Sequence, residues 1–342
     1  MAQPAAIDRV AIIGAGAWGT ALAILAARAG RETRLLARSR AHAVEMQDLR
    51  ENARRLPGRA FPEGLSVTDD AEEALAGAQA VLLVTPSQTL RETCARLHPH
   101  AAPDALLIAC AKGVERGTGL LMTQVAEQAA PGRDVAALSG PSFAGEAADG
   151  LPTAVLIACA QVARARAACA ALAHGAFRPY AGGDAVGAEL GGAAKNVIAI
   201  ACGAAEGLGL GANARAALVS RGLAEIGALG AAMGARPETV AGLAGLGDLV
   251  LTCTSPRSRN MSFGIALGQA GSMAALAEAR GALGEGGAPL AEGAENAASV
   301  TDLARAHGVE MPICETVRAV LEGRFDLGEA IAALMARPLR VE

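Results

Sequence analysis

Of the 30 lysines and arginines in this 342-residue chain, only two are lysine, Lys112 and Lys195. The two cation types differ in what they can do. Guanidinium stays protonated, whereas an ammonium in a dry setting can shift its pKa and exchange a proton. Lys195 stands in an apolar helical pattern, Glu189–Glu206, so its side chain is expected in such a setting. That makes Lys195 a candidate acid/base and Lys112 a second candidate cation, against the plain alternative that two lysines are chance leftovers. Asp248, in Gly245-Leu-Gly247-Asp248, could orient Lys195, accept from a substrate hydroxyl, or only cap a helix. Ser258-Arg259-Asn260 suits a phosphate, because arginine brings charge and a planar fork while serine and asparagine add donors. The same three residues would also suit a solvated polar loop.

A second kind of chemistry is written near the N-terminus. The apolar run Arg9–Ile13 leads into Gly14-Ala-Gly16-Ala-Trp-Gly19 and then the Ala/Leu-rich stretch Thr20–Arg28. Strand, Gly-x-Gly-x-x-Gly and helix in this order form a dinucleotide site. Gly14 permits the turn, Gly16 lets the backbone approach a pyrophosphate, and Gly19 lets helix and strand pack closely. Trp18, the sole tryptophan, either packs the helix start or lines the cofactor pocket. At the end of the second strand, Thr33–Ala37, an NAD site carries an acidic residue for the ribose 2′-hydroxyl. Here the chain reads Arg38-Ser39-Arg40 instead. Two guanidiniums and a hydroxyl suit a 2′-phosphate, although two solvated arginines in an arginine-rich chain would read the same.

The elements that must hold these residues follow a βα rhythm. Strand-like runs recur at Leu65–Thr68, Ala80–Thr85, Ala105–Cys110, Val135–Leu138, Thr153–Ala160 and Phe177–Tyr180, with helical patterns at His42–Asn52, from Asp69, and over Ser87–Leu97. Lys112 falls just past the carboxyl end of one strand, the edge where open α/β sheets bind ligands. After Val135–Leu138, Gly140-Pro141 forces a turn, and Ser142 is expected to open a short helix able to meet an anion. From about residue 184 the pattern is helical with glycine stops: Glu189–Glu206, Arg215–Met233, Ala291–His307, Pro312–Gly323 and Gly328–Ala336. The expected fold class is an α/β Rossmann domain with a doubly wound, mainly parallel sheet over residues 1–183. An all-α substrate and catalytic domain follows over 184–342.

Composition narrows the partners. A net charge of −4 with no basic run argues against nucleic acid, and no apolar run has the length of a membrane span, so stable membrane insertion is not expected. Seven cysteines without a Cys-x-x-Cys pair read as reduced thiols, and five scattered histidines give no metal-ligand spacing. A cytoplasmic protein using no metal is the expectation. A homodimer is compatible with the sequence, which does not set the oligomer number.

Taken together, residues 14–23 (GAGAWGTALA), 111–119 (AKGVERGTG), 138–146 (LSGPSFAGE), 191–203 (GGAAKNVIAIACG), 242–260 (GLAGLGDLVLTCTSPRSRN) and 291–297 (AEGAENA) resemble bacterial NAD(P)-dependent glycerol-3-phosphate dehydrogenase. The resemblance spans about Val10 to Arg337. It implies reversible reduction of dihydroxyacetone phosphate to sn-glycerol 3-phosphate for phospholipid synthesis, with NADP(H) the preferred cofactor and NAD(H) the alternative. By position it implies Lys195 as general acid/base. Lys112, Gly140, Ser142, Lys195, Asp248, Ser258, Arg259 and Asn260 would contact substrate. Ala17, Trp18, Arg38, Lys112, Ala144, Arg259, Leu290 and Glu292 would join the three glycines in contacting cofactor. Leu290 stands where the family often has valine, and Met273–Pro289 matches poorly. Two rivals stay open: a related reductase of the 6-phosphogluconate or hydroxyisobutyrate type, and a non-catalytic cofactor-sensing module.

Overall fold

The structure, a computed structural model, describes residues 6–282 and 291–336. It divides into two compact units, Met1–Glu115 with Leu120–Glu189, and Arg116–Gly119 with Leu190–Glu342.

The first unit is built on an eight-stranded sheet: β1 (Arg9–Ile13), β2 (Glu32–Leu36), β3 (Leu65–Thr68), β4 (Ala80–Leu83), β5 (Leu106–Ala109), β6 (Val135–Ser139), β7 (Thr153–Cys159) and β8 (Phe177–Gly182). The strand order is β3-β2-β1-β4-β5-β6-β7-β8. Neighbours are parallel except β6 and β7, which pair antiparallel. Winding outward from β1 toward β3 on one side and from β4 on the other places a switch point between β1 and β4, where such sheets bind nucleotides. The central strands β4 and β5 are apolar and buried along their whole length because both faces are covered. Ile12, Leu82 and Ile108 enter one core, while Ile13, Leu83 and Leu107 enter the other. The covering helices are α1 (Ala17–Arg28), α2 (Arg40–Leu49), α3 (Ala71–Leu75), α4 (Leu90–Leu97), α5 (Met122–Ala129), α6 (Ala144–Ala148) and α7 (Val162–Leu172).

The second unit is helical among its described residues. Helix α8 (Ala185–Gly207) enters it at Leu190, followed by α9 (Gly211–Ala232), α10 (Pro237–Val240), a π-helical turn at Leu243–Gly247 and α11 (Asp248–Thr254). Then come α12 (Arg259–Ala270), α13 (Met273–Ala282), α14 (Glu292–Ala306), α15 (Pro312–Leu321) and α16 (Leu327–Met335). Helix α8 is long and apolar enough to cross a membrane, yet 83% of its most apolar stretch is buried, as in a core helix. Glycines let it touch its neighbours backbone to backbone. A Cβ on Gly203 would stand 2.8 Å from Gly264 Cα, and one on Gly264 would stand 2.9 Å from Gly203 Cα. Gly207 and Gly268 repeat the arrangement one turn on, at 3.0 and 2.9 Å. Alanine at any of these four would push α8 off α12.

Several boundaries differ from the sequence reading. Helix α1 begins at Ala17 rather than Thr20, and α2 at Arg40 rather than His42. Ser142 does not open a helix; α6 begins at Ala144 and is five residues long. Glycine also enters the π-helical turn Leu243–Gly247, which runs straight into α11. The cause is packing: a Cβ on Gly245 would collide with the Val240 carbonyl, so glycine is there for space.

Candidate active site

In the first unit, β1 ends at Ile13 and the chain turns through Gly14, whose φ of +112° is a left-handed value that glycine tolerates. A Cβ there would lie 2.7 Å from the Val84 carbonyl oxygen, on the neighbouring strand's exit. A Cβ on Gly19 would overlap the Gly14 carbonyl, so that glycine lets α1 lie against the turn. Gly16 is the opposite case: beyond its chain neighbours, no atom of the described residues stands within 4 Å of where its Cβ would be. It is the N-cap of α1, and no side chain caps the helix. Uncapped N–H groups at a helix start, facing open space across a glycine, are what a pyrophosphate requires, so the residues present fit a dinucleotide. Ala17 opens the helix, and Trp18 is half-buried against the core. Past β2, Arg38, Ser39 and Arg40 are all exposed, with Ser39 Oγ accepting from His42 N at 3.4 Å as the cap of α2.

Beyond β5 and β6, two loops meet at one carbonyl. Lys112 Nζ donates to Gly140 O at 3.2 Å, and Ser142 Oγ donates to the same oxygen at 3.1 Å. Gly140, at φ +138°, would bring a Cβ 3.0 Å from Val155 Cα, so no other residue fits the bend. The Lys112 loop is itself tied down. Arg91 forks onto Glu115 at 2.9 and 2.8 Å, and Gln88 Nε2 donates to Val114 O at 2.9 Å.

In the second unit Lys195 is buried on α8, 6% exposed. Its ammonium donates to Asp248 Oδ1 and, at 2.9 Å, to Thr252 Oγ1. Thr252 in turn donates its hydroxyl to the Asp248 carbonyl at 2.7 Å, one helical turn back. That proton is committed, so toward Lys195 the threonine oxygen can only accept. Gly191 lets α8 come this near, since a Cβ there would stand 2.8 Å from Gly245 Cα. Close by, Cys202 and Cys253 are hydrogen-bonded thiols, and that bond together with burial holds the Cys253 thiol well above its ordinary range.

The next residue on α8, Asn196, accepts from Asn260 Nδ2 at 2.9 Å, and Asn260 Oδ1 accepts from Gly293 N at 2.8 Å. Ser258 is buried and caps α12, its oxygen accepting from Met261 N at 3.3 Å. Arg259, first residue of α12, is exposed. The solvated-loop alternative therefore fails for Ser258 and Asn260, which are 5% and 7% exposed.

Comparison with known proteins decides the family. Models of the N- and C-terminal domains of NAD-dependent glycerol-3-phosphate dehydrogenase match residues 9–165 and 184–332. The chain belongs to this family. It is 52% identical to a glycerol-3-phosphate dehydrogenase of the NAD(P)+ kind from Rhodospirillum rubrum, over 98% of this chain and 94% of that one. The counterpart from Caulobacter vibrioides is 51% identical, over 98% and 99%. Among solved structures, the Coxiella burnetii glycerol-3-phosphate dehydrogenase superposes with a TM-score of 0.88 at 40% identity, covering 97% of this chain and 99% of that one.

The residues that the glycerol-3-phosphate dehydrogenase resemblance names thus fall into clusters inside each unit. Gly14, Gly16, Ala17, Trp18 and Gly19 form the turn, and Lys112, Gly140 and Ser142 share one carbonyl. Lys195 and Asp248 are an ion pair. Ala144 opens α6, Glu292 opens α14, and Leu290 lies outside the described residues. Sequence reasoning did not single out Thr252 or Asn196. The only signal for Thr252 was its i+4 spacing from Asp248, which puts both on one face of α11.

Proposed function

We propose that the protein reversibly reduces dihydroxyacetone phosphate to sn-glycerol 3-phosphate with NAD(P)H, a reaction that supplies glycerophospholipid synthesis. The observation that carries this reading is the buried Lys195 ammonium, oriented by a carboxylate and a hydroxyl within the C-terminal domain of a dehydrogenase family. Bound nicotinamide supplies the hydride to C2, and everything else falls to the chain. As the carbonyl is reduced, negative charge gathers on its oxygen, where Lys195 stabilises it and then delivers a proton. Asp248 offsets the cost of keeping that ammonium charged away from water. Lys112 supplies a second positive charge, beside Gly140 and Ser142. Ser258, Arg259 and Asn260 anchor the substrate phosphate, with Arg259 presenting its fork at the start of α12.

For the cofactor, the Gly14–Gly19 turn takes the pyrophosphate, with Ala17, Trp18, Ala144, Arg259, Leu290 and Glu292 contributing further contacts. Arg38 reads the 2′-phosphate, which makes NADP(H) preferred over NAD(H). A homodimer and a cytoplasmic location belong to the same proposal. The test is NADPH oxidation with dihydroxyacetone phosphate and, separately, with unphosphorylated dihydroxyacetone. Rapid turnover of the phosphate ester and little of the parent ketone is the expected result. Equal rates would remove the phosphate anchor, and no oxidation with either would overturn the whole reading.

A further inference from the structure

Asn52 carries no part of the chemistry above, yet it is 0% exposed and its side-chain amide is used on three sides. Its Nδ2 donates to Ala15 O at 3.1 Å and to Thr20 Oγ1 at 2.8 Å. Its Oδ1 faces His42 Nε2 at 3.2 Å. Chemistry fixes the orientation of the amide, because a carbonyl oxygen such as Ala15 O can only accept and must face the NH2 end. Oδ1 is then the acceptor, and His42 Nε2 is the protonated ring nitrogen.

Ala15 lies between Gly14 and Gly16. Its carbonyl and the Gly16 N–H belong to one trans peptide plane and point in opposite directions. A hydrogen bond that holds the Ala15 carbonyl on Asn52 therefore fixes the Gly16 N–H pointing the opposite way, at an exposed glycine whose Cβ position has no atom of the described residues beyond its chain neighbours within 4 Å. A peptide free to flip would turn that donor away. The other end of Asn52 holds His42, in the first turn of α2, two positions after Arg40. One buried amide thus ties the glycine turn to the stretch that follows the second strand.

We propose that Asn52 is a positioning residue that pre-sets two phosphate-reading parts of the cofactor site together, the Gly16 N–H through Ala15 and the Arg38–Arg40 stretch through His42. This rests on reading the first unit as the NAD(P)H site. The two arms make different predictions. Losing the Ala15 arm weakens any dinucleotide, since the pyrophosphate is common to both cofactors. Losing only the His42 arm weakens the cofactor bearing a 2′-phosphate.

The experiment titrates the full-length protein with NADPH and with NADH, without substrate, and follows the fluorescence of Trp18, the sole tryptophan. Calorimetry with ADP-ribose and its 2′-phosphate provides a readout free of nicotinamide. Asn52→Asp keeps the size of the side chain while offering an oxygen where Ala15 needs a donor, so a cavity cannot explain its effect. It should raise the Kd of both cofactors about tenfold or more. His42→Ala, at a half-exposed position that tolerates truncation, should raise the Kd of NADPH several-fold and leave NADH nearly unchanged. In both variants turnover at saturating cofactor should hold. Unchanged Kd values in Asn52→Asp, or equal losses for both cofactors in His42→Ala, would overturn the proposal. Failure of the unsubstituted protein to bind either cofactor would overturn the site reading itself, and this inference with it.

Discussion

Glycine does different work in the two units. In the Gly14–Gly19 turn it leaves backbone N–H groups uncapped, so the proposed cofactor contacts belong to the main chain and the residues that present them are neighbours in sequence. Along α8 it clears a path for another helix, and the polar groups that meet are side chains, Lys195 and Asn196, whose partners lie far along the chain. Gly203 faces Gly264, Gly191 faces Gly245, and Gly293 comes so near the Asn196 carbonyl that a Cβ would overlap it. A site made of backbone can be written as a short motif. A site made of side chains on packed helices depends on how closely the helices approach, and small residues set that distance.

The largest effects should separate these two modes. Lys195→Met and Lys195→Arg should each cut turnover by about a hundredfold or more, with NADPH affinity nearly unchanged, because guanidinium keeps the charge but does not release a proton. Lys112→Arg should be milder, as charge alone serves a supporting cation. Steady-state kinetics on the three variants decides. Near-normal turnover in Lys195→Arg would reduce Lys195 to a simple cation, and a dead Lys112→Arg beside it would reverse the two roles. Next comes the seam. Gly203→Val places a branched side chain against Met261 O and Gly264, with no flexible group to yield. It should cost about 3 kcal/mol of stability, read as a lower midpoint in denaturant. Gly16→Ala meets no atom, so its stability should hold while cofactor affinity falls. If the two substitutions behaved alike, the contrast between turn and seam would be lost.

How much of this was legible follows from the same contrast. Strand β1 appears at the residues its apolar run suggests, and the Gly-x-Gly-x-x-Gly turn stands directly behind it, because both signals are local. The lysine count pointed to Lys195, but the ion pair with Asp248 spans 53 positions and the bond to Thr252 spans 57. No spacing rule covers such distances, so Asp248 was left with three roles and Thr252 with none. The reason for Gly245, the nearby Val240 carbonyl, is tertiary and leaves no local signal. Helix α5 went unread because it starts behind Leu121, which has no polar capping group. Gln124 Oε1 accepts from the Leu121 N–H at 2.9 Å in its place.

A middling effect tests the reading of the second strand's end. Arg38→Ala should weaken NADPH binding by about ten- to a hundredfold, the worth of one charge-assisted contact to a phosphate, and NADH binding far less. Dissociation constants for both cofactors suffice. Equal losses would mean that Arg38 does not read the 2′-phosphate, leaving it a solvated arginine among many.

The smallest effect concerns a second buried carboxylate. Asp248 faces an ammonium, whereas Glu189 is met by neutral donors: Thr123 N donates to it at 2.8 Å and Thr123 Oγ1 at 2.6 Å, with the Met122 backbone beside them. Burial pushes the Glu189 carboxyl up to about 7, the two Thr123 hydrogen bonds opposing the shift and Glu127 adding to it. The folded state therefore holds this proton more tightly than the unfolded chain does. Stability from this group is full below about pH 4.5, the unfolded value, and is lost as pH rises through 7. Between pH 6 and 8 the loss should be about 1.4 kcal/mol, one decade of proton binding. Glu189→Gln keeps the size and an acceptor for the Thr123 N–H while removing the titration. Denaturant midpoints at the two pH values should then converge in the variant and differ in the natural protein. If the variant kept the same slope, another group would be the source, and Glu189 would be a carboxylate that its threonine satisfies in full.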